Sequence, residues 1–192
     1  MEAFIRESKR KLLSLAHNVE ATIERKRVNA ILENYDPSVI QNKKPSQVKS
    51  VLFIITRMVR FHGGQTSVLR LGTQLELQGY KVYYAVYKNQ SKEEMEICAK
   101  SNLENYKGTL ISSKSFRHLS KKKPMDVIVA TSWDTVSYAK HLLGYKMYFV
   151  QDYEPYFYSF GEMFLLAKKT YEQGLHMVSL GAWNKDMIQK KL

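Results

Sequence analysis

The stretch that most constrains this chain is Val51-Leu52-Phe53-Ile54-Ile55, followed by Thr56-Arg57-Met58-Val59-Arg60-Phe61-His62-Gly63-Gly64-Gln65. Five apolar residues without a polar interruption describe a strand covered on both faces. The loop behind it carries two arginines and a Gly-Gly pair, and a helical pattern starts at once. Such a corner is where an open α/β sheet meets a ligand. Glycine lets backbone come close, and the helix N-terminus favours an anion or a polar sugar group. The plainer alternative is a tight turn that needs glycine for its own geometry.

The same alternation continues. Strands are expected near 81–87, 109–111, 126–130, 146–150 and 176–179, with helices near 65–78, 92–102, 134–143 and 161–173 and a last one starting at Ala182. Residues 114–123 are rich in Ser and Lys and carry no clear periodicity. Strands alternating with helices over this length predict an α/β domain with a doubly wound, mainly parallel, Rossmann-like sheet over 51–192. Ahead of it, Leu12, Leu15, Val19, Ile23 and Ile31 recur at helical spacing, so residues 1–36 read as an N-terminal helical arm. Asp36-Pro37 ends that pattern, and 37–50 reads as a linker.

Charge is uneven. Residues 51–125 hold 13 basic and 5 acidic side chains, net +8, whereas 126–192 hold 7 of each. A basic half suits a phosphate-bearing partner, an anionic membrane surface or another polyanion, or is simply a solvated lysine-rich face. Basic and aromatic residues do not interleave in a stripe, so nucleic acid is not an expected partner. Cys98 is the single cysteine, which excludes an internal disulfide and suits a reducing cytosol. No apolar run reaches membrane-spanning length, so a cytoplasmic protein is expected, with the inner face of the cell membrane as a place it would work.

Ligands of open α/β sheets lie outside the carboxyl ends of the strands. The residues there are Arg57, Arg60, Gly63, Gly64 and Gln65 after the first strand, Thr131-Ser132-Trp133-Asp134 after the fourth, and Gln151-Asp152-Tyr153-Glu154-Pro155-Tyr156-Phe157-Tyr158 after the fifth. Aromatic rings beside acids and amides form a surface suited to sugars: the rings stack, and the polar groups bond hydroxyls. Asp152, directly behind its strand, is the candidate catalytic acid, and the tyrosines are either platforms or core. Trp133 is a second candidate platform, and Asp134 reads as a helix cap. There is no G-x-G-x-x-G, no phosphate loop, no nucleophile elbow and no Cys/His cluster, so neither a bound cofactor nor a metal is expected.

Four segments together resemble the WsaF-like rhamnosyltransferases and rhamnan-synthesis proteins, family-4 glycosyltransferases of the GT-B fold. They are the 51–65 corner, Asp126–Asp134 with Thr131-Ser132-Trp133, the box Phe149-Val150-Gln151-Asp152-Tyr153-Glu154, and Val178-Ser179 with Trp183. The box is the most specific of the four. The resemblance implies the N-terminal, acceptor-side half of a two-domain enzyme that transfers a sugar with retention and without a metal. It also implies a dTDP-type nucleotide-sugar donor held mainly by a C-terminal domain. By position, Gly63, Gly64 and Gln65 would approach the donor phosphates or the acceptor. Gln151 and Asp152, with Ser132, Trp133, Tyr153 and Glu154, would line the acceptor side, and Arg57 or Arg60 would hold a diphosphate. The expected partners are a glycan acceptor, with a lipid diphosphate as an anchor that suits the basic surface, and the C-terminal domain. Because these 192 residues hold only the first half of that pattern, turnover by this chain alone is not expected. A non-catalytic basic module on a membrane surface or polyanion is the alternative.

Overall fold

A computed structural model describes residues 2–119 and 124–191. The chain forms two compact units, 1–35 and 36–192. The first is the single helix α1 (Glu2–Asn34), closed where the Tyr35 N–H donates to the Leu32 carbonyl at 3.1 Å.

The second unit is an α/β sandwich. Its strands are β1 (Ser50–Ile55), β2 (Lys81–Val86), β3 (Thr109–Ile111), β4 (Val127–Ala130), β5 (Tyr145–Val150) and β6 (His176–Ser179). They form one sheet in the order β3-β2-β1-β4-β5-β6, with every pair parallel. The connections carry α2 (Gly63–Leu77), α3 (Lys92–Asn102), α4 (Ser113–Leu119), α5 (Val136–Lys140) and α6 (Glu162–Thr170), and α7 (Ala182–Lys191) closes the chain. This is a Rossmann-like sheet. The order reverses between β1 and β4, the pair whose outer ends open into a crevice in such folds.

Local chemistry accounts for the elements. Val51–Ile55 and Val127–Ala130 are buried throughout, as strands covered on both faces must be. α3 begins with a capping box: the Ser91 hydroxyl accepts from the Glu94 N–H, and the Glu94 carboxylate accepts from the Ser91 N–H. α2 lies close on β2 because residue 72 is glycine; a Cβ there would collide with the hydroxyl of fully buried Tyr84.

Three segments differ from the expected pattern. Helix α4 fills the front of the Ser/Lys-rich stretch, and the stretch's remaining residues up to 123 lie outside the described ones. The box after β5 contains a 3-10 turn, Glu154–Phe157. Residues 36–49 hold no regular element, yet they are fastened to the domain. The buried Lys140 ammonium donates to the Asp36 and Ser38 carbonyls, both at 2.6 Å, and pairs with the Asp36 carboxylate at 3.2 Å. Asn42 exchanges two hydrogen bonds with the Lys146 backbone, and Asp126 accepts the N–H groups of Lys49 and Ser50. Burial would raise the Asp36 carboxyl, but its Ser38 hydrogen bonds and Lys140 outweigh that and bring it down to about 2.

Candidate functional site

The loop 56–62 behind β1 has few backbone partners of its own, so amide side chains supply them. Gln65 accepts the Val59 N–H and donates to the Arg57 carbonyl, both at 2.8 Å. Gln90 does the same with Met58, accepting its N–H and donating to its carbonyl at 2.8 Å. Asn102 accepts the His62 N–H and donates to the Val59 carbonyl at 2.6 Å. Buried backbone groups must be paired, as Gln90 does for Met58, and Gln65 and Asn102 pair the more exposed groups around it. The loop is therefore shaped from beneath, with Arg57 and Arg60 on its outside. The His62 ring caps α2, accepting the Gln65 N–H.

At the switch point, Asp134 collects three hydroxyls. Thr56 donates to its two oxygens at 3.0 and 2.8 Å, Ser132 at 2.5 Å and Tyr87 at 2.6 Å. Burial, and then the Asp134 charge, push the Tyr87 hydroxyl far above its usual range, so it stays a donor. Asp134 is not the helix cap its position suggested. The turn after β4 is held instead by the Thr135 hydroxyl, which accepts the N–H groups of Thr131 and Ser132. With their protons given to the carboxylate, the oxygens of half-buried Thr56 and Ser132, 3.2 Å apart, are left as acceptors. Such an arrangement receives hydrogen-bond donors, such as sugar hydroxyls, rather than an anion.

Gln151 joins the corners. Its side chain lies over the end of β4, donating to the Thr131 carbonyl at 3.3 Å, and its Oε1 is buried without a hydrogen-bond partner. That oxygen lies 2.7 Å from where a Cβ of Gly64 would stand, so glycine at 64 is what allows the contact. Asn184 from α7 donates to the Gln151 carbonyl at 2.9 Å. Asp152, half-buried beside it, accepts the Tyr153 N–H at 2.7 Å.

The rest of the box turns inward. Tyr148, Tyr171 and Tyr153 stack in series at 5.6 and 5.7 Å, and Tyr156 meets Tyr153 edge-on at 4.8 Å. Glu154 is buried, accepting the Trp133 N–H at 2.9 Å and the Tyr148 hydroxyl at 2.8 Å. Burial is the main cause that lifts its carboxyl, to about 7, against those two donors and with help from the Asp134 and Asp152 charges. Trp133 is buried and spends its indole N–H on the Tyr158 hydroxyl at 3.0 Å.

The expected site residues therefore divide. Arg57, Arg60 and Gly63 are exposed, and Gly64, Ser132, Gln151 and Asp152 are half-buried at the C-terminal edge of the sheet. Gln65, Trp133, Tyr153 and Glu154, expected to line the cleft, are buried and hold loops together, so the two rings offer no open face. Thr56 and Tyr87 are not among the residues the sequence singles out, and Asp134 reads there as a helix cap. Their only sequence signal was position behind β1, β2 and β4. Beside the corner, the 56–62 loop and α3 bound an open groove of about 480 Å³. A second cleft, about 380 Å³ between β6 and α7, contains none of these residues. Among the described residues, no group of three or more His, Cys, Asp or Glu could hold a metal ion, and no helix is long and apolar enough to cross a membrane.

Comparison with known proteins finds one family. The model of the WsaF N-terminal domain matches residues 37–182, starting in the fastened segment and ending at the first residue of α7. No curated protein matches the chain. The match spans about three quarters of the sequence and all six strands, including the corners that Gln151 and Asp134 join. The chain therefore belongs to the family of the WsaF N-terminal domain and has a glycosyltransferase-related role.

Proposed function

We propose that this chain is the acceptor-side wall of a retaining, metal-independent glycosyltransferase of the GT-B type. It would work at the cytoplasmic face of the cell membrane, adding rhamnose from a dTDP-linked donor to a growing surface polysaccharide. In this reading the nucleotide sugar is held by a second α/β domain facing this one. The acceptor glycan, carried on a lipid diphosphate, lies along the C-terminal edge of the sheet. Asp152 and the Gln151 amide nitrogen bond its hydroxyls, Gly63 leaves room for close approach, Gly64 seats the Gln151 side chain, and Arg57 or Arg60 holds phosphate. The Asp134 cluster receives a further sugar hydroxyl through Thr56 and Ser132.

The observation that carries this reading is the meeting of Gln151 and Gly64 over the end of β4, beside Asp134 at the switch point. Three strand ends share one polar ledge there, with hydroxyl, amide and carboxylate groups suited to a polyhydroxylated ligand.

Calorimetric titration tests it. Rhamnose-containing acceptor oligosaccharides should bind weakly, with affinity at least ten-fold lower in Asp152→Ala, about 1.4 kcal/mol. The chain should not bind dTDP-rhamnose tightly; tight binding would contradict the division of labour. The net charge of +8 over residues 51–125 favours a second reading, a basic module on an anionic surface. Salt-sensitive vesicle binding indifferent to Asp152→Ala, without any glycan binding, would select it.

A further inference from the structure

The groove between the 56–62 loop and α3 has two kinds of lining. Its apolar part is Met58, Val59, Ile97 and Cys98, with Val59 46% and Ile97 53% exposed. Its polar part is Arg57 and Arg60, both exposed and without an ion pair among the described residues. Its remaining polar residues have other duties: Gln90 clamps the Met58 backbone, and Glu94, the one acid, closes the α3 capping box. Two forked cations therefore stand at an apolar trough whose shape is set from beneath by Gln65, Gln90 and Asn102. A solvated basic face has no need of exposed Val59 and Ile97 side by side with its arginines, and a bare phosphate would have no use for them.

We propose that this groove binds a phosphate-headed apolar chain. The phosphate or diphosphate is held by Arg57 and Arg60, and the hydrocarbon lies along Val59 and Ile97 over the buried Met58. Guanidinium forks match phosphate oxygens in geometry and charge, and the net +8 of the surrounding half of the sequence draws anions toward them. The proposal rests on the acceptor reading above and deepens it. It puts the anchor of the acceptor beside the 56–62 loop while the sugars extend over Gly64 toward Gln151 and Asp152.

Cys98 supplies a readout that needs no transfer activity. It lines the groove and is the only thiol in the chain, so its alkylation by a maleimide reports whether the groove is filled. Farnesyl diphosphate at ten times its Kd should slow labelling about ten-fold. Farnesol, with the same chain and no charge, and inorganic pyrophosphate, with the charge and no chain, should each protect far less. Arg57→Ala and Ile97→Asp, both changes at exposed positions, should each reduce the protection by farnesyl diphosphate.

Equal protection by pyrophosphate and farnesyl diphosphate would overturn the apolar half of the proposal. Equal protection by farnesol, or protection unchanged in Arg57→Ala, would overturn the anionic half. Free labelling at every farnesyl diphosphate concentration would overturn the whole. Glycan titration of the same protein separates the two readings. Lost protection with retained, Asp152-dependent glycan binding removes only the groove assignment. Protection without glycan binding removes the acceptor wall.

Discussion

The loops behind β1 and β5 resemble each other on paper, each a run of polar and aromatic residues at a strand end, but they are built in opposite senses. Behind β1, amides are turned inward to satisfy the backbone, and the arginines stay outside. Behind β5, the acid Glu154 and the ring of Tyr153 are packed inside against Tyr148 and Tyr171, while Tyr156 and Phe157 are exposed and Gln151 and Asp152 are half-buried at the ledge. What decides is the partner that the rest of the chain supplies. The Glu154 carboxylate turns inward because the Trp133 N–H and Tyr148 hydroxyl wait there. The arginines find no buried acid and stay in water, where cations are best solvated.

Changes at Glu154 break the comparison most severely. Glu154→Ala should cost about 3 kcal/mol in urea unfolding, since it strands a buried N–H and a buried hydroxyl and leaves a void. Glu154→Gln keeps an acceptor and should cost much less; equal losses would mean the hydrogen bonds do not matter. Next in size is Gln90→Leu, which unpairs the Met58 N–H and carbonyl and should cost about 2 kcal/mol. It should also weaken farnesyl diphosphate protection of Cys98, whereas Glu154→Gln should leave it unchanged.

The pH dependence sharpens the contrast. Glu154 has a folded pKa of about 7 against an ordinary 4.5, so the folded state holds the extra proton. Its contribution is full below about 4.5 and is lost as pH rises through 7. Asp36, lowered to about 2 from 3.8, acts in the opposite direction: its contribution is present above 3.8 and is lost as pH falls through 2. Unfolding measured from pH 4.5 to 8 should show a decline that Glu154→Gln flattens; the same slope in that variant would contradict the assignment.

The smallest global effect is expected for Gly64→Ala. The new Cβ meets only the far end of Gln151, which can swing aside, so stability should change by less than about 1 kcal/mol. Glycan binding should nevertheless fall, because the ledge loses Gln151 from its place. Unchanged binding would separate the two corners.

The sequence made the sheet legible because each strand is an apolar run bounded by turn residues, and β1 and β4 have no polar interruption at all. Helix α4 was hidden because Ser113–Leu119 has no apolar periodicity, and the 36–49 segment because its anchors, Asp126, Lys140, Lys146 and Gln173, lie 77 or more residues downstream. In the candidate site, strand-end position was enough to put Gly64, Gln151 and Asp152 at the C-terminal edge of the sheet. It could not reveal the duty of Asp134, whose donors Thr56 and Tyr87 lie 78 and 47 residues away. Nor could it show that Gln65, Gln90 and Asn102 serve backbone groups, since the shape of that backbone is what they create.

The central claim is that one ledge, shared by the corners behind β1, β4 and β5, faces the acceptor. Amide chemical-shift mapping during titration with a rhamnose-containing oligosaccharide tests it most directly. The predicted perturbations fall on residues 56–64, 131–134 and 151–153 together. Perturbations confined to the cleft between β6 and α7, or to α1, with those three corners silent, would contradict it.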